Sequence, residues 1–494
     1  MTIPDASLLV ALVVSAPLGA AMLAVVFGRH GAAIAAAGVA ATAAAVAALI
    51  VAVARGGAAS VALGGWPAPL GITLQADGLA CGFLAMTVLV MGGVAAQGRV
   101  QFAGGDAETR AGWAFWPLAL LLWASVNAVF LSRDLFNLYV GLELMTLAAV
   151  ALVAIEGKAE TLAAALRYML VALLGSLLYL LGVVLIYAAH GALDLDLIAG
   201  RAAAPSDLLA AALMSVGLAA KMALFPFHAW LPPAHSGAPA PASAMLSALV
   251  PKAAFVILLR LWFEAAPDLA SAAILTLLGA LGAAAILHGG LMALRQVRLK
   301  LVIAYSTVAQ VGYLLLVFPL AGGDSLAQPW AAGAWTGTVF QALSHGLAKA
   351  AMFLCAGIWM ASVGHDRIEG LRGQARATPM AAFAFGLAAI TLMGLPPSGG
   401  FTAKYLLLTS AMASGQWGWA VVLLAGGLLT AAYLYRPLAA AFAKAEQAPP
   451  SAPRSRQAAP LALAAAAILL GIASSAPFEF LQIGRPQAAA EGLE

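Results

Sequence analysis

Seven lysines occur in the 494 residues, and four of them, Lys221, Lys252, Lys349 and Lys404, fall inside long apolar stretches. An ammonium in hydrocarbon costs several kcal/mol unless it faces a cavity or a partner, so these four are expected to point inward. Glu143 is the only acidic residue placed comparably deep, near the middle of the stretch 134–154. It needs a partner there, and Lys221 is the expected one. Burial disfavours a charged amine, whereas a neighbouring carboxylate favours it. A lysine alternately paired and isolated is therefore a proton carrier with its own control. His345 and Lys349 are four residues apart and share one helix face. The order Glu143, Lys221, Lys252, His345/Lys349, Lys404 suggests a row of protonatable groups along the membrane midplane.

Prolines accompany the lysines. Pro226, Pro232 and Pro233 follow Lys221, Pro251 directly precedes Lys252, and Pro396-Pro397 with Gly399 and Gly400 precede Lys404. Proline lacks an N–H and clashes with the preceding turn. The stretches carrying Lys221 and Lys252 are each expected to be broken, and so is the one carrying Lys404. Broken helices beside ionisable groups are a feature of ion pathways in transporters. His228 and His235, in HAWLPPAH beside the first break, are candidates for lining such a pathway. Tyr305, Ser306 and Gln310 are further candidates in LVIAYSTVAQVGYLLLVF, although hydroxyls and amides commonly serve only to hold helices together in lipid.

The elements that must position these groups follow from composition. With 64% hydrophobic and 9% charged residues and a mean hydropathy of +0.99, the chain is an all-α polytopic membrane protein. Fourteen segments are long and apolar enough to span, near 7–27, 31–54, 76–97, 113–132, 134–154, 162–188, 207–227, 240–263, 270–293, 301–319, 335–362, 379–412, 417–440 and 458–476. The seventh and twelfth carry the proline breaks and lie five segments apart. Segments 4–8 and 9–13 therefore read as two five-helix repeats, inverted because the helix number is odd. The resulting divisions are 1–110 (three N-terminal helices), 111–265 and 266–442 (the repeats), and 443–494, a Pro-rich cytoplasmic linker with a last helix. The connector GGAASVALGGWPAPLG alternates small and apolar residues, as a short surface hairpin does.

With the amino terminus outside, fifteen Lys and Arg residues fall in cytoplasmic loops and five, Arg55, Arg133, Arg201, Arg260 and Arg485, on the other side. That bias places both termini outside the cytoplasm. Asp77, Asp134 and Arg133 sit at helix starts, where a cap or a solvated interface accounts for them. Cys81 and Cys355 have no ligand spacing around them and read as small core residues. No nucleophile–base pair, metal-ligand cluster or Gly-rich cofactor motif is visible, so no cofactor, bound metal or nucleic-acid partner is expected.

The stretches DLFNLYVGLELMTL, FPFHAWLPPAHSGAPAPASAMLSALVPKAAF, RLKLVIAYSTVAQVGY, SHGLAKAAMFL and GLPPSGGFTAKY resemble the antiporter-like subunits shared by respiratory complex I, membrane-bound hydrogenases and Mrp-type cation/proton antiporters. Within that family, DLFNLYV, PAPASA and the lysine of the twelfth helix look most similar to the Mrp D-type subunit. The resemblance implies that Glu143 pairs with Lys221, that Lys252 is central, that His345 and Lys349 continue the relay and that Lys404 faces the exit. It further implies a proton-translocating subunit of a multi-subunit bacterial inner-membrane complex, exchanging Na⁺ or K⁺ for protons under the Mrp reading. Its partners would be homologous antiporter-like subunits and small membrane subunits. The alternative within the family is a proton-pumping subunit of a complex I-like NADH-quinone oxidoreductase or a hydrogenase, with the redox chemistry in other subunits. A different class, a scaffold whose static ion pairs lock helices together, uses the same buried charges without transport.

Overall fold

A computed structural model describes residues 6–102, 109–447 and 449–486. Parts of the expected terminal segments (1–5 and 487–494), of the third loop (103–108) and of the linker (448) lie outside the described residues. Twelve helices among the described residues are long and apolar enough to cross a bilayer. The other two expected spans, 207–227 and 379–412, are each divided.

Helices α1 (Ala6–Val26) and α2 (Gly31–Gly56) pack together, and α1 also lies against α4 (Arg110–Leu131). Between α2 and α3 (Gly78–Phe102) the Gly-rich connector forms the expected hairpin, β1 (Ala59–Ala62) antiparallel to β2 (Thr73–Ala76). Asp77 and Asp134 act as the caps their positions suggested. Asp77 accepts from the Ala80 N–H at 2.7 Å, and Asp134 from the Asn137 N–H at 2.7 Å, starting α5 (Leu135–Ala154). Then come α6 (Ala159–His190), the short α7 (Leu195–Ala199) and α8 (Asp207–Lys221). Helix α8 ends at Lys221, where Ala223 turns the chain with φ +55°, a left-handed conformation that its Cβ disfavours. The chain resumes in α9 (Leu231–Gly237) and α10 (Ala240–Arg260).

The second half comprises α11 (Ala272–Arg295), α12 (Leu299–Leu314), α13 (Val317–Ala321), α14 (Pro329–Val363), α15 (Gln374–Ala377), α16 (Pro379–Met393), α17 (Gly399–Ala413) and α18 (Trp417–Phe442). After the linker follow α19 (Arg454–Ile472) and α20 (Ser475–Phe480). The break between α16 and α17 lies at Gly394–Ser398, at the expected double proline. The expected break at Pro251 is absent: α10 continues through it. The clash with the preceding turn is absorbed within the helix, and the lost donor is compensated as described below.

Helices α10 and α14 form the centre. Every residue of α10 is buried, and it packs against α3, α4, α5, α8 and α14. Helix α14 touches α3, α12, α16, α17 and α19. With 35 residues, α14 is roughly 52 Å long at 1.5 Å per residue, more than the ~30 Å hydrocarbon thickness. His345 and Lys349, near its middle, therefore sit deep. Backbone contacts between small residues set α8 tightly on α6 and α12 on α11. A Cβ on Gly217 of α8 would lie 2.3 Å from the Gly175 carbonyl of α6, and one on Gly312 of α12 would lie 2.3 Å from the Gly282 carbonyl of α11. Small residues at helix interfaces permit such approach in lipid.

Candidate functional site

Glu143, ninth residue of α5, meets Lys221 at the end of α8, with Nζ to Oε1 at 3.1 Å. The ammonium also donates to Thr146 Oγ1 at 2.8 Å, and Glu143 accepts a hydrogen bond from Ser176 of α6. The Lys221 side chain is 2% exposed and that of Glu143 23%. Of the buried lysines, Lys221 alone has a carboxylate within 4 Å among the described residues. The ion pair expected from two uncompensated deep charges is present.

Lys252 is fully buried and donates to the Ser247 carbonyl at 2.7 Å. In an α-helix that carbonyl would accept from the N–H of residue 251, and residue 251 is proline. Pro251 thus leaves Ser247 O without its helical donor, and the Lys252 ammonium takes the place. A charged donor on an otherwise orphaned carbonyl is a strong arrangement in a dry interior. Pro251 orients the amine while leaving the helix whole.

From Lys252 a polar chain crosses to the second half. Ser247 Oγ lies 2.9 Å from Thr307 Oγ1, which bonds to the Ile303 carbonyl at 3.2 Å. The same carbonyl accepts from Lys349 Nζ at 2.6 Å, and Lys349 also donates to Ser306. One α14 turn from Lys349, His345 has both ring nitrogens buried without a partner among the described residues. A further turn along, Gln341 donates to Gln310 at 2.7 Å. Gln310 in turn donates to the Leu392 carbonyl at 3.3 Å, which Lys404 Nζ also reaches, at 2.7 Å. Lys404 caps the last turn of α16, where the negative end of the helix favours a cation, and lies 4.5 Å from the centroid of the Tyr313 ring. Gly394, with φ +82°, ends α16, and a Cβ there would lie 2.5 Å from the Lys404 stem.

The structure joins Lys252, Ser306 and Lys349 in one ladder and Gln341, Gln310 and Lys404 in a second, with the unpartnered His345 in the interval between them. No side-chain hydrogen bond links the Lys221 cluster to Lys252 among the described residues. His228 and Tyr305 are half-buried and make no hydrogen bond to the lysines among the described residues: His228 Nε2 is 3.1 Å from His288 Nε2, and its ring stands near that of Tyr305. His235 is buried and stacked on Phe353.

Two features escaped the sequence reading. Lys300, counted among the cytoplasmic loop charges, is buried too and donates to the Ser236 and Ala238 carbonyls at the end of α9. Arg133, read as a solvated interface residue, and Arg260, counted as a loop charge, are buried in one ion-pair network. Arg260 bonds to Asp77 at 2.9 Å and Glu264 at 3.0 Å, while Arg133 pairs with Glu264 and Asp196. Charges of both signs near segment ends were the sequence hint, and they do not say which pair meets, because the partners are as many as 183 positions apart. Removing these three from the loop tally leaves the charge bias in place.

Chemically, the arrangement is a set of ammonium groups resting on carbonyls and hydroxyls, with a single carboxylate at one end. It suits proton transfer between amines, and among the described residues no group of three or more His, Cys, Asp or Glu is placed to hold a metal ion.

Comparison with known proteins agrees with that chemistry. The profile of the family described as "NADH:quinone oxidoreductase/Mrp antiporter, TM" matches residues 132–430. NADH-quinone oxidoreductase subunit N of Desulforudis audaxviator is 37% identical over 430 residues, 83% of this chain and 82% of that protein. The D-type component of the Na(+)/H(+) antiporter of Alkalihalophilus pseudofirmus is 31% identical over 385 residues, 76% of this chain and 75% of that protein. A chain in the structure of the Mrp complex from Dietzia sp. DQ12-45-1b superposes with a TM-score of 0.88 at 26% identity, covering 98% of this chain and 97% of its own. The higher identity to the N-type oxidoreductase protein means that the leaning of the motifs toward the Mrp D-type protein is not specifically supported. Profile, relatives and fold together make this multi-pass integral membrane protein a member of the antiporter-like transmembrane family shared by NADH:quinone oxidoreductase and Mrp antiporters.

Proposed function

We propose that the chain is a proton-translocating subunit of a multi-subunit membrane complex of the NADH-quinone oxidoreductase type. The observation that carries this reading is the ladder from Lys252 through Ser247, Thr307 and Ile303 to Lys349. Buried amines without carboxylate partners are costly as scaffolding, yet that is what proton carriers require. The stronger likeness to the N-type oxidoreductase protein supports the complex type. Mrp-type exchange of Na⁺ or K⁺ for protons is the second reading, favoured by the superposition on a chain of the Dietzia complex. The partners are other antiporter-like and small membrane subunits. The location is the bacterial inner membrane with both termini outside the cytoplasm, and residues 111–265 and 266–442 act as the two inverted half-units.

In this reading Lys221 keeps its proton while Glu143 is beside it. When the pair opens, the isolated ammonium is disfavoured and the proton leaves toward Lys252. That step crosses the interval without side-chain hydrogen bonds and needs water. Onward transfer runs through water beside the ladder, past Lys349 and His345 to Lys404; the Ser247, Ile303 and Leu392 carbonyls hold the amines in line and pass no proton themselves.

Proton flux in membrane vesicles, normalised to assembled complex, tests the proposal. Lys252→Arg keeps the charge but does not give up its proton, so it should block flux as severely as Lys252→Ala, while Glu143→Gln should impair coupling with assembly intact. Near-normal flux in Lys252→Arg would reduce this lysine to a fixed charge and end the relay. The composition of the purified complex decides between the two complex types, since redox subunits should accompany only the first.

A further inference from the structure

We infer that Tyr313 is a positioning residue for Lys404, its ring face serving that ammonium as the Glu143 carboxylate serves Lys221. The inference rests on the proposed proton-translocating reading and gives the last lysine of the relay a partner without a charge of its own.

Lys404 has no carboxylate within 4 Å among the described residues, in contrast to Lys221. Its half-buried amine donates to the Leu392 carbonyl at 2.7 Å and to the Met393 carbonyl at 3.2 Å, both at the end of α16. Those contacts leave the cation without a counter-charge in a segment where one is costly to omit. The Tyr313 ring supplies the remaining attraction. Nζ lies 4.5 Å from its centroid, within the ~6 Å reach of a cation–π contact. A ring differs from a carboxylate in what it leaves behind. When Lys221 gives up its proton, Glu143 remains as a lone carboxylate in the membrane, whereas the loss of a proton from Lys404 strands no charge beside it. A ring therefore suits a lysine that must both take up and release a proton at the end of the row.

The packing shows that the ring face, and not the hydroxyl, is what Lys404 uses. Tyr313 is fully buried in the last turn of α12, and its Oη has no hydrogen-bond partner among the described residues. Helix α18 makes room for the tip of the ring at Gly426, where a Cβ would lie 2.2 Å from Oη and 3.0 Å from Cζ. Gln310, one turn back on the same face of α12, donates to the Leu392 carbonyl that also holds Lys404. Helices α12 and α18 thus fix the ring while α16 fixes the ammonium.

The test replaces Tyr313, in the whole complex in vesicles, by phenylalanine and by phenylalanines carrying one, two and three ring fluorines, introduced by nonsense suppression. Fluorine drains the negative ring face and barely alters its shape, so a packing role would make these variants alike. Tyr313→Phe keeps the face and removes a buried hydroxyl without a partner, and its proton flux should stay within about twofold of the native value. Flux should then fall with each fluorine, by about tenfold or more at three, with complex content and melting temperature unchanged. Tyr313→Leu should be as slow as the trifluoro variant. A level series, or a Tyr313→Phe as slow as Tyr313→Leu, overturns the inference. Lys252→Arg in the same vesicles reads the relay separately: normal flux there beside a graded series ends the relay and leaves the ring contact, whereas blocked flux there beside a level series ends the ring contact alone.

Discussion

Pro251→Ala isolates the contact that sets the position of the central lysine. Alanine restores an N–H four residues after Ser247, aimed at the carbonyl that Lys252 Nζ now holds at 2.7 Å. A hydrogen bond to a charged group is worth about 1.5–3 kcal/mol. The carbonyl has a second lone pair, so competition should weaken the Lys252 contact by about half of that, roughly 0.7–1.5 kcal/mol. If the tethered pose is the conducting one, flux should fall about three- to twelvefold, at about 1.4 kcal/mol per factor of ten. Removing a proline from a helix interior relieves strain, so the complex should be no less abundant or heat-stable, which separates lost positioning from lost folding. Pro251→Gly also supplies the N–H and should lower flux too. The assay is initial proton flux in vesicles at matched complex content. Unchanged flux in both variants, with Lys252→Ala inactive, would show that the tether does not matter to transfer and refute the reasoning.

Thr307→Val keeps the shape of the side chain but removes the hydroxyl linking Ser247 to the Ile303 carbonyl; flux should fall several-fold with assembly unchanged, and full flux would place the proton route elsewhere. Arg260→Gln should act on stability instead. It leaves Asp77 without its buried cation and Glu264 with Arg133 alone, a loss of about 3–5 kcal/mol for breaking a buried pair. The complex should melt at lower temperature and accumulate poorly, while flux per surviving complex changes little. A normal melting temperature would mean that water replaces the guanidinium.

Apolar runs, proline positions and stranded lysines are local properties, and they placed the helices, both real breaks, the β1–β2 hairpin and the caps at Asp77 and Asp134. Glu143 opposite Lys221 was legible for the same reason: two deep charges of opposite sign have few ways to avoid a penalty except each other. The chain could not reveal which amines would be satisfied by carbonyls, because an orphaned carbonyl exists only once a helix is built. So Pro251 looked like a break when it serves as a socket for Lys252, and Lys300 looked like a loop charge when it holds carbonyls at the end of α9. Arg133 and Arg260 likewise found their partners only when α3, α7 and α10 came together. Composition settles that these groups lie within or beside a bilayer, but side-chain direction depends on how helices rotate against their neighbours. That rotation put Ser306, Thr307 and Gln310 of α12 into the lysine ladders and left Tyr305, on the same helix, half-buried beside His228, since packing of small residues such as Gly282 against Gly312 sets how α12 is turned.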